Sequence, residues 1–551
     1  MIHKNKKLWI AISLVAVLVV IAAACAEEAT PTPVPATPTS TAVPGATPTP
    51  VPTITPTVAP LATSTPVPTP VVEEQIVRGG TIRLAGWSGG YTSWDPRFGD
   101  EWDPASYYTF THDRLLEFQY GPEHGAIDYT PSPALAESWE FLDDTTLVLH
   151  LRQGVKWQNI DPVNGREFTS DDAQWSLEQY QNPEFALSGI LEPIISIEAP
   201  DKYTLVLKTA EPYAPILTAL ADPRIYMLAK EVAAKFGGFG TPDTLIGTGP
   251  FILSEYEEGV SAVWEANPDY WRGPNGVTGQ QLPYVDRIEA ILDPEWETSV
   301  AMFRAGELEA PGAWFGFWGF EGMDKKDIEE LESSVPGMQQ SLHPRPYMDR
   351  LIAFNTELPP FDDVRVRQAV SLALDRDAWV EGVYQGRAGR GREFADLNPY
   401  FLPNDQVGPG AVYQEHNIEL AKQLLADADY PDGLSTILHS TTAVGPALQI
   451  EAELVAEQLR DVGINVEFKV YPDDTAWYSG PRGAEWGGDP GLVFYYGDSY
   501  YDPNFFYDVF MPGNYRNTSK VNDPFVVDLI EQQRREIDPV ARRAIIDEIQ
   551  R

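Results

Sequence analysis

Cysteine is almost absent from this chain of 551 residues, with Cys25 the single example. One thiol cannot form a disulfide within the chain or supply a cysteine-based zinc site. Histidine is scarce as well, and the seven histidines are scattered so that no two lie four residues apart, the spacing of a helical metal-binding pair. The sequence therefore predicts no metal site and no bound cofactor.

Basic residues are also few, with 39 Lys and Arg against 81 Asp and Glu, which gives a formal net charge of −42. A field of this sign repels phosphate backbones, so nucleic acid is excluded as a partner. The excess acid either solubilises the surface or attracts a cationic ligand. Apolar residues make up 43% of the chain and include 15 Trp, which is enough for a large folded core.

The N-terminal residues are typical of a secretory signal. Lys4, Lys6 and Lys7 precede an apolar run over 8–24, which ends in three alanines before Cys25. This junction resembles a bacterial lipobox, in which signal peptidase II cleaves before a cysteine that then carries lipid. We predict a signal peptide over 1–24 and a lipid on Cys25. An uncleaved transmembrane anchor is the alternative, because 17 apolar residues nearly span a bilayer. Both interpretations place the remaining chain outside the cytoplasm.

A Pro- and Thr-rich tract over 28–72 follows the cysteine. Frequent proline prevents regular helix and removes the backbone donors that a sheet requires. We predict that 25–76 is an extended stalk between the membrane and a folded body.

The body shows helical and strand patterns in alternation. Thr146 to Leu151 alternates as a half-buried strand, and Thr169 with Asp172 predicts a capped helix start. A helical pattern over 447–461 ends at Gly463, and a strand pattern begins at once. This interleaving predicts an α/β fold.

Several segments, taken in order, resemble family 5 of the bacterial extracellular solute-binding proteins, which includes the dipeptide, oligopeptide and nickel-chelate receptors of ABC importers. The matching blocks are GGTIR at 79–83, WDP at 94–96, PALAESWE at 133–140, LHLRQGVKW at 149–157, FTSDD at 168–172, GTGPF at 247–251, NPDYW at 267–271, FRAGEL at 303–308, and PPFDDVRVRQA at 359–369.

The resemblance implies a two-lobed type II periplasmic-binding-protein flytrap (cluster C-like) with an extra inserted subdomain. It places lobe I at 78–117 and 245–343, the inserted subdomain at 118–244 and lobe II at 344–510. The remaining residues, 511–551, are predicted to be a helical segment. Their last amphipathic helix stops without a cap, so we expect that the chain continues beyond it.

The implied function is that of a monomeric, lipid-anchored extracytoplasmic receptor, and not an enzyme. It would bind a small ligand, preferably a peptide, and deliver it to an ABC permease with its ATPase subunits. An oligosaccharide receptor of the same family is the alternative, and nickel is disfavoured without a histidine cluster. A hydrolase is a weaker alternative, because the G-x-S-x-G match at 86–90 precedes a loop and not the helix that a nucleophile elbow requires.

The candidate ligand-binding residues come mainly from one segment, 494–503. By resemblance, Asp498 would pair with the α-amine of a peptide and Tyr495 would line the cleft. The segment has one residue more than the family pattern, so Asp502 is the second candidate. Alternatively, Asp498 caps its own turn.

Aromatic residues supply the other candidates. Trp314 and Trp318 belong to a loop of aromatic and small residues over 311–320, which either stacks on ligand or packs beside a hinge. Trp94, in the WDP block, is also predicted to contact ligand. A basic loop over 387–392 either contacts a ligand carboxylate or importer, or is only solvated.

Overall fold

The computed structural model describes residues 77–86, 94–98, 102–119, 128–185, 187–292, 294–311, 325–339, 350–395, 398–442, 446–497, 501–514 and 516–551. Residues Gln75–Arg551 form one compact unit. The predicted signal peptide, Cys25 and the stalk lie outside the described residues and stay predictions.

Strands and helices alternate along the described chain, as the sequence patterns predicted. The strands are β1 (Thr81–Gly86), β2 (Leu116–Phe118), β3 (Pro131–Pro133), β4 (Ala136–Asp143), β5 (Thr146–Leu151), β6 (Ile194–Asp201), β7 (Thr204–Thr209), β8 (Phe251–Glu257), β9 (Ser261–Ala266), β10 (Arg287–Leu292), β11 (Arg350–Phe354), β12 (Leu434–Thr441), β13 (Ile464–Tyr471) and β14 (Gly491–Tyr496). The helices are α1 (Trp102–Thr111), α2 (Ser170–Tyr180), α3 (Ser188–Leu191), α4 (Ile216–Ala221), α5 (Lys230–Phe236), α6 (Trp296–Ala305), α7 (Lys325–Ser334), α8 (Val364–Ala373), α9 (Arg376–Gly382), α10 (Asn404–Val407), α11 (Ile418–Asp427), α12 (Pro446–Asp461), α13 (Asp474–Tyr478), α14 (Pro503–Tyr507), α15 (Pro524–Arg535) and α16 (Pro539–Gln550).

The helix start and the helix end that the sequence predicted are both present. Thr169 and Asp172 make both bonds of a capping box at the start of α2. Gly463 adopts a left-handed φ of 91° between α12 and β13, a conformation that favours glycine.

The first large sheet has the order β1-β10-β9-β8. Strands β1 and β10 are parallel, and the segment around Ala310 extends alongside β1 in the same direction, since the Ala85 amide donates to the carbonyl of Ala310 at 3.2 Å. A second sheet, β4-β5-β7-β6, is antiparallel throughout. Apolar side chains of both sheets enter one core, in which Trp157 and Trp264 are fully buried.

The last large sheet has the order β11-β14-β12-β13. Strands β12, β13 and β14 are parallel, and β11 is antiparallel to β14. Helices α8, α11 and α12 cover one face, where Leu492 and Phe494 of β14 are buried. Val493 and Tyr495 alternate with them and point to the opposite face.

The C-terminal helices pack on the first core and not on the last sheet. Tyr507 of α14, Ile530 of α15 and Ile546 of α16 are all buried there. The chain has therefore returned to the first core before residue 510, where we predicted that lobe II ends. The lobe boundaries themselves stay a prediction. Among the helices described, none is long and apolar enough to cross a membrane.

Candidate functional site

The carboxyl ends of three parallel strands meet at one edge of the last sheet. Strands β12, β13 and β14 end there at Thr441, Tyr471 and Tyr496, and β11 begins beside them with Arg350 paired to Tyr496. Open parallel sheets bind ligands outside the carboxyl ends of their strands, because the loops that carry side chains start at this edge. We take this edge as the candidate site.

The first sheet presents a similar edge. Parallel strands β1 and β10 end at Gly86 and Leu292, and the segment at Ala310 runs beside β1. Trp94 follows β1 in the sequence, and the candidates Trp314 and Trp318 follow the segment at Ala310. Trp314 and Trp318 lie outside the described residues, so their predicted ligand contact stays a prediction.

Tyr495 lies near the end of β14, and only 7% of its surface is exposed. It belongs to a small cluster, here called the aromatic layer, that covers the second face of the last sheet and consists of Ala353, Trp477, Trp486, Val493 and Tyr495. The guanidinium of Arg482 lies 4.4 Å from the centroid of the Tyr495 ring. Tyr495 thus lies at the candidate edge, but most of its ring is covered by neighbouring side chains, and its predicted ligand contact stays a prediction.

A crossing segment, 516–520, holds the aromatic layer from the C-terminal part of the chain. The Trp486 indole donates to the carbonyl of Thr518 at 2.8 Å, and the Thr518 hydroxyl donates to the carbonyl of Arg482 at 2.9 Å. Thr356 donates to the carbonyl of Ser519 at 2.6 Å, which ties the same segment to the residues after β11. The segment then leads to α15, which packs on the first core.

His439 lies behind the aromatic layer and was not singled out in the sequence. Its ring is fully buried, it stacks on Tyr471, and it meets Trp486 edge-on. Nδ1 lies 3.1 Å from the Tyr471 hydroxyl, whereas Nε2 has no hydrogen-bond partner in the described structure. Burial, assisted by the charge of Lys469, lowers the pKa of His439 to about 4, so the ring is neutral at pH 7.

Asp502, the second candidate for an amine anchor, is engaged inside the protein. Its side chain caps α14, because its carboxylate accepts a hydrogen bond from the backbone amide of Asn504 at 2.8 Å. Arg542 donates to both carboxylate oxygens, and only 3% of Asp502 is exposed. Asp498 lies outside the described residues, so its predicted role as anchor is carried forward as a proposal.

Trp94 packs against the first core. Its ring meets Tyr107 and Tyr256 edge-on at centroid distances of 5.0 and 5.2 Å. The adjacent Asp95 pairs with Arg97 and accepts from its backbone amide at 3.1 Å, which forms the turn of the WDP block. Trp94 is only partly buried, and its predicted ligand contact remains untested.

The basic loop makes contacts within the protein. Arg390 pairs with Asp377 and Glu415, and the buried Arg392 donates to the carbonyl of Leu402 at 2.9 Å. Of the two interpretations offered for this loop, neither accounts for Arg392, because its partner is the backbone of a neighbouring loop. Such a partner cannot be recognised in a sequence, because every residue has a backbone carbonyl and the residue type does not indicate which carbonyl accepts the hydrogen bond.

A surface depression of about 590 Å³ lies away from the candidate edge, between the start of α8 and the end of α11. Asp362 and Tyr430 help to line it. The residues that line this depression do not form a recognisable binding site, and a ligand in such an open depression would remain largely exposed to solvent. Within the described ranges, no group of three or more His, Cys, Asp or Glu side chains is arranged to hold a metal ion.

The chain belongs to the bacterial extracellular solute-binding proteins of family 5, because residues 130–517 match the family described as "Bacterial extracellular solute-binding proteins, family 5 Middle". It is 30% identical to Heme-binding protein A of Haemophilus influenzae over 382 residues, which cover 65% of this chain and 64% of the relative. It is 27% identical to the Dipeptide-binding protein of Escherichia coli over 391 residues, which cover 65% and 66%. The chain thus spans slightly less than two thirds of each of these relatives.

Solved structures confirm the fold class. The periplasmic binding protein DppA from Helicobacter pylori, in complex with the peptide STSA, superposes with a TM-score of 0.68 at 24% identity, covering 87% of this chain and 91% of that one. HbpA2 from Haemophilus parasuis superposes with a TM-score of 0.64 at 24% identity, covering 85% and 91%. The fold is therefore the α/β, two-lobed, type II periplasmic-binding-protein class, as the sequence predicted.

Proposed function

We propose that the protein is the extracytoplasmic substrate-binding protein of an ABC importer, and that it binds a small peptide and delivers it to the permease and its ATPase subunits. The observation that carries the proposal is the family match over 130–517. The similarity to a dipeptide-binding protein supports the choice of a peptide. Binding and transfer require no chemical step, so we propose that the protein is not an enzyme.

The proposed site is the carboxyl edge of the last sheet, with Asp498 as the anchor for the peptide α-amine. Asp498 follows Tyr495 by three residues, and Tyr495 lies at this edge. Water is scarce between closed lobes, so a carboxylate and an ammonium form a charge-assisted hydrogen bond there. We propose that Trp94, Trp314 and Trp318 contribute aromatic surface from the first lobe.

Haem is a second candidate ligand, because the relative at 30% identity is a haem-binding protein. An oligosaccharide remains the alternative from the sequence. The three ligands differ in their charged groups. A peptide carries an amine and a carboxylate, haem carries propionates and no amine, and a neutral oligosaccharide carries neither group.

Calorimetry on ligand-free, full-length protein tests the proposal. The probes are di- to pentapeptides that include Ser-Thr-Ser-Ala, the same peptides N-acetylated, haem and a neutral oligosaccharide. We expect the free peptides to bind. N-acetylation and Asp498→Asn should each weaken binding by about 30-fold or more, and the combination by scarcely more than either alone, since both remove one interaction.

Asp269→Asn is the matched control, because Asp269 is an exposed aspartate between β9 and β10 of the first sheet. It should leave peptide affinity unchanged. Binding of haem or of the oligosaccharide without any peptide would reject the proposed peptide ligand. Small-angle scattering should also show a smaller radius of gyration with a saturating peptide, because closure brings the lobes together.

A further inference from the structure

The C-terminal helices α14 to α16 are connected to the last sheet in more than one way. Strand β14 ends at Tyr496 and α14 begins at Pro503, so the chain itself makes one short connection. The crossing segment makes a second connection, because the carbonyl of Thr518 accepts a hydrogen bond from Trp486 of the aromatic layer. Both connections favour movement of these helices together with the last sheet.

The segment between α9 and α10 makes a third connection. Its residue Phe394 is fully buried, and the ring lies 6.0 Å from that of Tyr507 on α14. The side-chain amide of Gln550 on α16 donates to the carbonyl of Tyr400 at 2.8 Å. Helices α8 and α11, which precede and follow this segment in the chain, cover the last sheet. The segment therefore ties the C-terminal helices to the same part of the protein.

On another side, the C-terminal helices meet the predicted inserted subdomain at the segment 211–218. The amide of Ala214 donates to the carbonyl of Arg534 at 2.9 Å. This carbonyl lies in the last turn of α15, where carbonyls have no partner within the helix. Arg535 forms an ion pair with Glu211 at 2.9 Å. The contact thus joins the end of α15 to a distant part of the chain by polar groups.

Two further contacts extend this surface towards the candidate ligand-binding segment. The Thr218 hydroxyl donates to the carboxylate of Asp502 at 3.4 Å, and Arg542 donates to the same carboxylate. The ring of Tyr501 lies 5.0 Å from that of Phe118 in β2. Tyr501 and Asp502 belong to the candidate segment, so the inserted subdomain contacts the chain directly beside the proposed anchor.

The ion pair in this contact is of a kind that forms and breaks easily. Glu211 and Arg535 are 63% and 42% exposed, and exposed ion pairs stabilise a contact only slightly because water competes for both charges. Contacts that exist in one conformation only shift the equilibrium towards that conformation by their own free energy. A weak polar contact between two moving parts would therefore adjust their closure without preventing them from opening.

We propose that the segment 211–218 is a latch, which contacts α14 and α15 when the lobes close on ligand and separates from them when the lobes open. The proposal rests on the proposed function, which supplies the closure on ligand. It assigns the C-terminal helices to the body that moves with the last sheet, so their packing on the first core belongs to the closed state. The latch slows ligand release without contacting the ligand.

A permanent contact between the same residues predicts different results. Replacing Arg535 would then lower the free energy of unfolding of the ligand-free protein and leave the release rate unchanged. A latch has the opposite effect, because it forms together with the bound state. Release becomes faster, whereas the unfolding of the ligand-free protein by urea is unchanged.

Release is measured on the full-length protein with radiolabelled Ser-Thr-Ser-Ala, which is chased with excess unlabelled peptide. Arg535→Gln and Glu211→Gln should each speed release by about 1.5- to 5-fold, the effect of one exposed ion pair, and leave association unchanged. The double variant should release no faster than either single variant, because both remove one interaction. Thr218→Val should speed release by about 2- to 10-fold, since it removes one hydrogen bond.

Salt provides an independent measurement. Added salt should speed release from wild type more than from Arg535→Gln, because the variant has lost the charge that salt screens. Lys208→Gln is the matched control, because Lys208 forms an ion pair of similar exposure with Glu198, between two strands of the inserted subdomain. It should leave the release rate unchanged.

The outcomes separate the latch from the proposed function. Wild-type release rates in Arg535→Gln and Thr218→Val would overturn the latch and leave the peptide receptor standing. If haem binds instead of the peptide, the peptide proposal fails, and the same rates measured with haem decide the latch. If no probe binds, both proposals fail. Glu211→Gln and Arg535→Gln alter exposed side chains, so the fold is kept and the rates remain decisive.

Discussion

Arg542 on the last helix donates hydrogen bonds to both carboxylate oxygens of Asp502, at 2.9 and 2.5 Å. The two side chains are 9% and 3% exposed, so this ion pair is buried. Arg542 also donates to Gln533 of α15, and Asp502 caps α14. The pair thus connects three C-terminal helices that pack on the first core.

Replacing Asp502 with asparagine should lower the free energy of unfolding by about 3–5 kcal/mol, because it leaves the buried Arg542 charge without its partner. Urea unfolding measures this change. The double variant Asp502→Asn/Arg542→Gln should lose less than the sum of the two single losses, because both act on one interaction. Asp269→Asn is the exposed control. A loss below about 1 kcal/mol for Asp502→Asn would show that the pair does not hold the helices.

The sequence was most informative where structure depends on neighbours along the chain. The capping box at Thr169 and Asp172 and the helix stop at Gly463 each involve residues within a few positions, so the pattern contains the whole interaction. The family blocks added the fold class, which the comparisons confirm.

The sequence was least informative where function depends on distant partners. Asp502 lies in a family-like segment, but its partner Arg542 is 40 positions further along, so an ion pair competes with the predicted ligand contact. The guanidinium of Arg482 lies against the ring of Tyr495, which belongs to a different element, β14. The burial of His439 depends on Trp486, which covers it from a loop 47 positions away (486 − 439). Residue type alone predicts none of these contacts.

Cys25 should carry lipid in the mature protein. Detergent partitioning and mass measurement of wild type and Cys25→Ala decide this, because the lipobox interpretation requires cleavage before the cysteine. We expect wild type to enter the detergent phase as a processed species and Cys25→Ala to remain uncleaved. A Cys25→Ala protein of the same size as wild type that partitions equally would favour an uncleaved membrane anchor.

Gly249→Ala should destabilise the protein. A Cβ at this position would lie 2.6 Å from the carbonyl carbon of Thr111 and 2.7 Å from the amide nitrogen of His112. Both are backbone atoms, so the clash cannot be relieved by rotating a side chain. Overpacking of this kind typically costs about 1–3 kcal/mol. Gly240→Ala is the matched control, since a Cβ there would meet no described atom within 4 Å. Thermal unfolding of both variants measures the difference, and equal melting temperatures would contradict the close approach.

The buried His439 should make stability depend on pH. Its pKa is about 4 in the folded protein, against about 6.5 in an unfolded chain. Between these values the unfolded chain binds more protons, so the free energy of unfolding rises with pH over this window and this contribution is complete above about pH 6.5. It is lost as the pH falls towards 4. His112, whose pKa burial lowers to about 3, acts in the same direction.

Burial raises the pKa of Asp508 to about 6, which makes the free energy of unfolding fall as pH rises from about 4 to 6 and opposes the effect of the two histidines.

Because these effects overlap, the contribution of His439 to the pH dependence must be measured by replacing His439 alone. In His439→Phe, the free energy of unfolding should decline less steeply below pH 6.5, by up to about 1.4 kcal/mol per pH unit, which is the slope of one proton. Tyr471→Phe removes the hydrogen bond to Nδ1 and keeps the histidine, so it should retain the wild-type slope. Urea unfolding at pH 4.5 to 7.5 measures these slopes, and parallel curves for wild type and His439→Phe would show that the histidine is not held neutral.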